Sequence, residues 1–398
     1  MDLAAIERAR EALVGIAIET PMEESRWLSA LAGGPVLLKC ENLQRTGSFK
    51  IRGAYLRMAR LSDEEKAAGV VAASAGNHAQ GVALAAQLLG LRATVFMPYG
   101  APIPKEKATR AYGATVEFHG TSVDEALVAA RAFSDETGAV LVHPFDHEDI
   151  VTGQATCGLE ILRQAPEAET VLVPTGGGGL VAGIATALKL HRPGIHVVAV
   201  QAAGAAAYPG SLAAGGPVAL EQMTTMADGI AVGRPGDVPF AAVRDHVDEV
   251  VTVSEESLSR AVLSTLERAK MVVEPAGAAA VAAILDDPTR FTTPTVAVLS
   301  GGNIDPLLLM RVIRHGMAAA GRYLGCTVRI PDAPGGLAHL LHELAEVDAN
   351  VLDVVHGRTS ASLHLDEVVV TLQLETRGPQ HAEMVLARLR ARGYAVEE

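Results

Sequence analysis

The chain reads as an α/β protein with a small, differently built module at its C-terminal end. Three observations carry that reading. Hydrophobic residues make up 49% of the 398 positions and charged residues 20%, enough apolar material for sizeable cores. As far as residue 320, short β-rich runs alternate with longer Ala/Leu-rich runs at helical spacing, which argues for parallel sheets covered on both faces. From Gly325 the order changes to β-α-β-β-α-β, a ferredoxin-like arrangement. At roughly 100–200 residues per domain, the length allows two to four domains.

The elements follow in order. The N-terminal segment reads as an amphipathic helix that stops before Pro21. Its acids Asp2 and Glu7, and the lack of a basic-then-apolar order, argue against a signal peptide. Strands are expected over 36–39, 70–72, 94–97, 115–118, 140–143, 171–173, 196–200, 249–253 and 295–299. Helices fill most of the gaps, 79–89 and 180–190 among them. Residues 316–322 are the expected linker. Beyond it come a strand at 327–330, a Pro-Gly turn, a helix over 337–347, alternating strands at 350–357 and 367–374, a helix over 381–392 and a strand at 394–397.

Composition excludes several classes. With 33 Lys+Arg against 46 Asp+Glu the net charge is −13, and no basic run offers a nucleic-acid footprint. Cys40, Cys157 and Cys326 lie too far apart for a CxxC-type metal site and are too few for a disulfide framework, which suits a reducing cytoplasm. Residues 171–188 and 201–220 lack charge, but the first holds Pro174 and four consecutive glycines and the second is rich in Ala, Gly and Pro. Neither could be one regular membrane-spanning helix.

In open α/β sheets ligands sit at the carboxyl ends of strands, so the loops there are the ones to inspect. Thr46-Gly47-Ser48-Phe49-Lys50 enters a helix. A lysine in a first turn is either held in solvent or used for a depressed pKa that makes it a nucleophilic amine. Ser74-Ala75-Gly76-Asn77-His78 opens a second helix, as an anion site or as a mere cap. Gly176, Gly177, Gly178 and Gly179 leave amides without a shielding Cβ, as a phosphate nest requires. A dinucleotide fold would want an acid after the next strand, where Gln201-Ala202 stands instead. Ser300-Gly301-Gly302-Asn303 follows the last strand and offers an uncharged hydroxyl. His143-Pro144-Phe145-Asp146-His147-Glu148-Asp149 looks metal-like but fits no zinc spacing and reads as a structural loop. Glu274 reads as a ligand group or as a capping carboxylate.

Taken together, these loops resemble fold type II pyridoxal-phosphate enzymes of the tryptophan synthase β-like kind, and among them the threonine dehydratases. Lys39-Cys40-Glu41-Asn42-Leu43-Gln44, the Lys50, Ser74 and glycine loops, Ala227-Asp228-Gly229-Ile230-Ala231 and the Ser300 loop occur in the family's order. The C-terminal module resembles an ACT domain, with its Pro334-Gly335 turn. The resemblance implies a large cofactor-binding domain from 1–66 and 146–320, a small catalytic domain from 67–145 inserted in it, and a regulatory domain from 321–398. It implies a catalytic Lys50 joined to the cofactor as a Schiff base and a catalytic Ser74. Phe49 would lie against the ring, Asn77 at the ring hydroxyl, Ser300 at the pyridine nitrogen and the four glycines around the phosphate. Ser74, Ala75, Asn77 and His78 would surround the substrate carboxylate.

The implied reaction is β-elimination of L-threonine to 2-oxobutanoate and ammonia, with L-serine as a further substrate. An amino-acid effector would bind near Pro334, Gly335, Gly336, Leu337 and Asn350, between modules of neighbouring subunits of a homotetramer. Racemases of similar sequence carry a second serine where Ala75 stands, and carboxylates for a divalent cation where 201–207 has no acid. The resemblance thus implies no divalent metal and leaves a monovalent cation open. An L-serine or 3-hydroxyaspartate dehydratase is the alternative enzyme, and an amino-acid sensor the alternative without chemistry.

Overall fold

The computed structural model describes residues 1–358 and 366–397. The chain separates into two compact units, Met1–Leu309 and Met310–Glu398.

The first unit contains ten strands: β1 Met22–Glu24, β2 Val36–Lys39, β3 Val70–Ala73, β4 Ala93–Met97, β5 Thr115–Phe118, β6 Val140–Leu141, β7 Thr170–Pro174, β8 His196–Ala202, β9 Glu249–Val253 and β10 Thr295–Val298. They form a six-stranded sheet in the order β1-β2-β10-β7-β8-β9 and a four-stranded sheet in the order β5-β4-β3-β6. All pairs are parallel except β1 with β2. Strands β3, β7 and β10 are buried along their whole length, as parallel strands covered on both faces must be. Val171, Val173, Val296 and Val298 join one core of the large sheet, while β3 feeds two cores, Val70 and Ala72 on one face and Val71 and Ala73 on the other.

Three helices meet where the two layers join: Lys50–Ala59, Asn77–Leu89 and Glu148–Gln164. Glycine lets the first and third approach at main-chain distance. A Cβ on Gly153 would stand 2.6 Å from Arg52 O and from Gly53 Cα. No larger residue fits at that crossing. The helix Lys50–Ala59 is pinned further by a buried charge cluster. Arg52, 1% exposed, makes a two-bond contact with Glu41 at 2.8 Å through Nε and Nη2. It also reaches Glu160 at 2.6 and 2.9 Å. Lys39 Nζ donates to Glu160 Oε2 at 2.6 Å and to Thr20 O at 2.8 Å. Two cations thus face two anions, and the cluster is neutral.

The second unit is built from β11 Tyr323–Pro331, helix Gly336–Ala345, β12 Asn350–Gly357, β13 Glu367–Glu375, helix Pro379–Ala391 and β14 Ala395–Glu397. Its antiparallel sheet has the order β12-β13-β11-β14. Alternate residues of β13 are buried against Leu340, Leu344 and Leu389 of the two helices.

Three expectations change. The first helix ends at Ala12, before a turn at Gly15 whose φ of +75° suits glycine. The expected linker over 316–322 is largely helix: Pro306–Ala319 runs through it, and β11 starts at Tyr323, four residues early. Strand β1 was not expected at all. Met22-Glu23-Glu24 has little β-propensity and is held by its pairing with β2. Among the described residues no helix is long and apolar enough to cross a membrane.

Candidate active site

The loops after β3, β7 and β10 open on one cavity of about 720 Å³. Phe49, Lys50, Ser74, Ala75, Asn77, His78, the four glycines and Ser300 all line it. The predicted residues of the first unit are therefore brought together, although they lie far apart along the chain.

Lys50 is the first residue of its helix and points its amine into the cavity, where Nζ donates to Pro144 O at 3.0 Å. The Phe49 ring lies 5.0 Å from that nitrogen. Burial pulls the Lys50 pKa down to about 8, against the opposing pull of the Glu274 charge. At pH 7 the amine is still mostly protonated, but it gives up its proton far more readily than a free lysine would.

The glycine loop joins β7 to the helix Gly179–His191 and delivers the free N–H groups of a first helical turn to the cavity. A Cβ on Gly177 would stand 2.5 Å from the Phe145 ring, and one on Gly178 would overlap the Tyr208 hydroxyl. Gly178 also sits at φ +99°. Tyr208 itself donates to Gly177 O at 3.3 Å and steadies the loop from behind.

On the opposite wall, Ser74 Oγ accepts from Gly76 N at 3.1 Å, and the helix Asn77–Leu89 turns its unpaired first N–H groups inward. His78 Nε2 lies 2.7 Å from Val142 O. A carbonyl can only accept, so Nε2 carries the proton. Burial and the Lys50 charge bring the His78 pKa down to about 3, so the ring is neutral and adds no cation to this wall. Ser300, 4% exposed, follows β10, and its carbonyl accepts from Phe49 N at 3.3 Å.

Four further residues build the site, and the sequence left one of them, Glu274, open between ligand and cap. Glu274, 2% exposed, lines the cavity and accepts from Asn77 Nδ2 at 2.5 Å. Burial, with Asp228 nearby, raises its pKa to about 7. Asn303 donates to Asn77 Oδ1 at 2.8 Å. Lys105, on the helix Ile103–Ala111, pairs with Asp228 at 2.6 Å. Tyr208 is the fourth. Glu274, ahead of Pro275-Ala276-Gly277, and Asn303, in the Ser300-Gly301-Gly302-Asn303 loop, carried local signals, whereas Lys105 and Tyr208 carried none.

The metal-like segment turns on itself: His143 Nδ1 accepts from Asp146 N at 2.8 Å, and Phe145 packs on the glycine loop. Among the described residues no group of three or more His, Cys, Asp or Glu side chains converges on a metal-sized site. In the second unit, Pro334, Gly335 and Leu337 line a hollow of about 550 Å³ beside His356 and Arg358. Gly336 starts the adjoining helix. Asn350 stands at the other end of β12, where its Nδ2 donates to Glu375 Oε2 at 3.1 Å.

Residues 15–301 match the family described as pyridoxal-phosphate dependent enzyme. The chain belongs to that family. Its cofactor is pyridoxal phosphate, and the cavity suits it: an amine with a lowered pKa faces a four-glycine cradle in which no Cβ could be accommodated at Gly177 or Gly178. As a pyridoxal-phosphate dependent enzyme it is 47% identical to the L-threonine ammonia-lyase of Geobacter sulfurreducens over 379 residues, 95% of this chain and 94% of that one. Among solved structures it resembles a threonine deaminase from T.th. (42% identity, TM-score 0.73, covering 77% of this chain and 99% of that one). It also resembles maize serine racemase (36% identity, TM-score 0.74, covering 78% and 96%). The family match ends at residue 301, ahead of the second unit.

Proposed function

We propose that this chain is an L-threonine ammonia-lyase, releasing 2-oxobutanoate and ammonia, with L-serine as a secondary substrate giving pyruvate. The observation that carries the chemistry is the meeting of the Lys50 amine and the glycine loop in one cavity. The likeness over 95% of the chain to a protein of that name supports the substrate. When bound, pyridoxal phosphate supplies the electron sink that acidifies the substrate Cα–H.

The protein's own residues divide the remaining work. Lys50 anchors the cofactor and holds or passes a proton at Nζ, a task matched to a pKa near the working pH. The N–H groups around Gly176, Gly177, Gly178 and Gly179 bind the phosphate. Asn77 donates to the ring hydroxyl, and Phe49 covers one ring face. Ser300 meets the pyridine nitrogen with a hydroxyl that cannot protonate it as a carboxylic acid would. Ser74 and the main-chain amides from Ala75 to His78 hold the substrate carboxylate. With Ala75 in place of a second hydroxyl, nothing at that position serves a racemase's second acid–base step. A pocket separates substrates differing by one methyl by only about 1–3 kcal/mol, so serine turnover is expected.

We read 1–66 with 146–320 as the cofactor-binding domain, 67–145 as the inserted catalytic domain and 321–398 as an ACT-type regulatory domain. An amino-acid effector would bind the hollow at Pro334, Gly335 and Leu337 in a cytoplasmic homotetramer. The test is 2-oxo acid release by the loaded enzyme from L-threonine, with L-serine beside it. Threonine-dependent 2-oxobutanoate supports the proposal. Release from serine alone, or from neither, overturns it. A titration with branched-chain amino acids that moves neither activity nor thermal stability would remove the regulatory role.

A further inference from the structure

We propose that Asn303 and Glu274 are positioning residues that fix which end of the Asn77 side-chain amide faces the cofactor. This deepens the reading above and rests on it. The bonds begin at the main-chain oxygen of Thr46, which can only accept. Asn303 Nδ2 lies 2.6 Å from that oxygen and 2.8 Å from Asn77 Oδ1. The carbonyl therefore decides how the Asn303 amide is turned, and both of its N–H bonds are used. Only an acceptor can face those bonds, so Asn77 must offer them Oδ1 and carry Nδ2 on its other side. There Nδ2 meets Glu274 Oε1 at 2.5 Å. One N–H of Asn77 is then committed, and the second is the side chain's last free donor. It belongs to a residue that lines the cavity.

The alternative is concrete. A primary amide turned by 180° has almost the same shape and presents a lone pair in place of a hydrogen. At an oxygen that carries negative charge, that exchange turns an attraction into a repulsion. Glu274 keeps its accepting role in either protonation state. Among the described residues its buried Oε2 has no partner, so a proton taken up there leaves Oε1 free to accept. Burial lifts its pKa to about 7, which makes both states relevant near neutral pH. There is little room for the relay to slip. A Cβ on Gly47 would overlap Asn303 Oδ1, and one on Gly301 would stand 3.1 Å from Asn77 Nδ2.

The test uses the full-length enzyme loaded with pyridoxal phosphate and reads the ratio of its visible to near-ultraviolet absorbance bands, which reports proton placement around the ring hydroxyl. Asn303→Asp removes the donor that orients Asn77. It should change the ratio at least twofold, in the direction that Asn77→Ala changes it, and add nothing when combined with Asn77→Ala. Glu274→Leu should shift the ratio likewise, whereas Glu274→Gln, which keeps an accepting oxygen, should stay close to the parent. A folded, loaded Asn303→Asp enzyme with the parental ratio overturns the proposal. So does an equal shift in the Asn77→Ala background, since the effect would then bypass Asn77. If Asn303→Asp does not fold, the Glu274 pair decides, and equal spectra for Gln and Leu overturn it. A parent without any visible band at saturating cofactor would overturn the cofactor reading of the cavity, and this inference with it.

Discussion

Replacing Arg52 with Met keeps the side-chain volume and removes the charge. The guanidinium gives up four bonds to Glu41 and Glu160, one to Thr156 Oγ1 at 3.1 Å and one to Ile18 O at 3.3 Å. Adding typical values for each bond would exceed the roughly 5–15 kcal/mol that holds a whole domain, so the sum is not the answer. The variant has a cheaper escape. Without Arg52, Lys39 faces two carboxylates, and one of them can take a proton. Burial pushes Glu41 up, and today the Arg52 charge outweighs it and holds Glu41 below its ordinary 4.5. Protonating a carboxyl of that ordinary value at pH 7 costs about 3.4 kcal/mol, which falls to about 0.7 kcal/mol at pH 5. Arg52→Met should therefore lose ~3–5 kcal/mol at pH 7, the usual cost of breaking a buried pair. The sign follows from linkage. The folded variant binds a proton that the unfolded chain does not, so its stability falls as pH rises above the unfolded carboxyl value. Urea unfolding of the cofactor-free protein at pH 5 and pH 7 measures both numbers. Adding Glu41→Gln restores the balance of one cation to one anion and should recover part of the loss. A deficit below about 1 kcal/mol at pH 7, or one that is the same at pH 5, would refute the charge-balance reasoning.

Other outcomes follow from the site. Lys50→Met should abolish 2-oxo acid release and the visible cofactor band. It should also stabilise the cofactor-free protein by about 2 kcal/mol below pH 8, since burying the ammonium costs about 3 kcal/mol and the bond to Pro144 returns about 1. Between the folded value of about 8 and the unfolded 10.5 the parent gains stability with rising pH, so the difference should close across that window in a pH series of unfolding curves. Gly177→Ala places a Cβ 2.5 Å from the Phe145 ring and should weaken cofactor binding at least tenfold, about 1.4 kcal/mol, by fluorescence titration. Ser300→Asp should alter the cofactor spectrum and lower elimination, and an unchanged spectrum with unchanged turnover would take Ser300 out of the site.

Much of the first unit was legible because its signals are local. A run such as Val171-Leu172-Val173 declares a covered strand, and four consecutive glycines declare a close approach. What escaped detection depends on partners distant in sequence. Strand β1 exists because β2 offers it a free edge, and its own Met-Glu-Glu carries no strand preference. Asn303 and Glu274 matter because of Asn77, 226 and 197 positions away, and no spacing rule links them. The resemblance sets His78 beside the substrate carboxylate, but nothing local in the sequence says that Val142 O holds its ring N–H. The 316–322 segment, with Gly316 and Gly321, reads as a linker, but helical residues on its N-terminal side carry the helix through Gly316 to Ala319.

Strand β10 lies between β2 and β7, although it is the last of the large sheet's strands to be synthesised. Until residues 295–298 leave the ribosome, the sheet exists as two fragments, β1 with β2 and β7 with β8 and β9, each with an unpaired inner edge. The cavity has no floor at that stage, because Ser300 and Gly301 are still to come. Such edges invite wrong pairing. A nascent chain of this design can complete its cofactor site only once residues 295–301 have emerged, about three quarters of the way along its 398 positions. A truncation just short of Thr295 would yield an aggregating chain, whereas the parent needs only the four residues of β10 to join the halves.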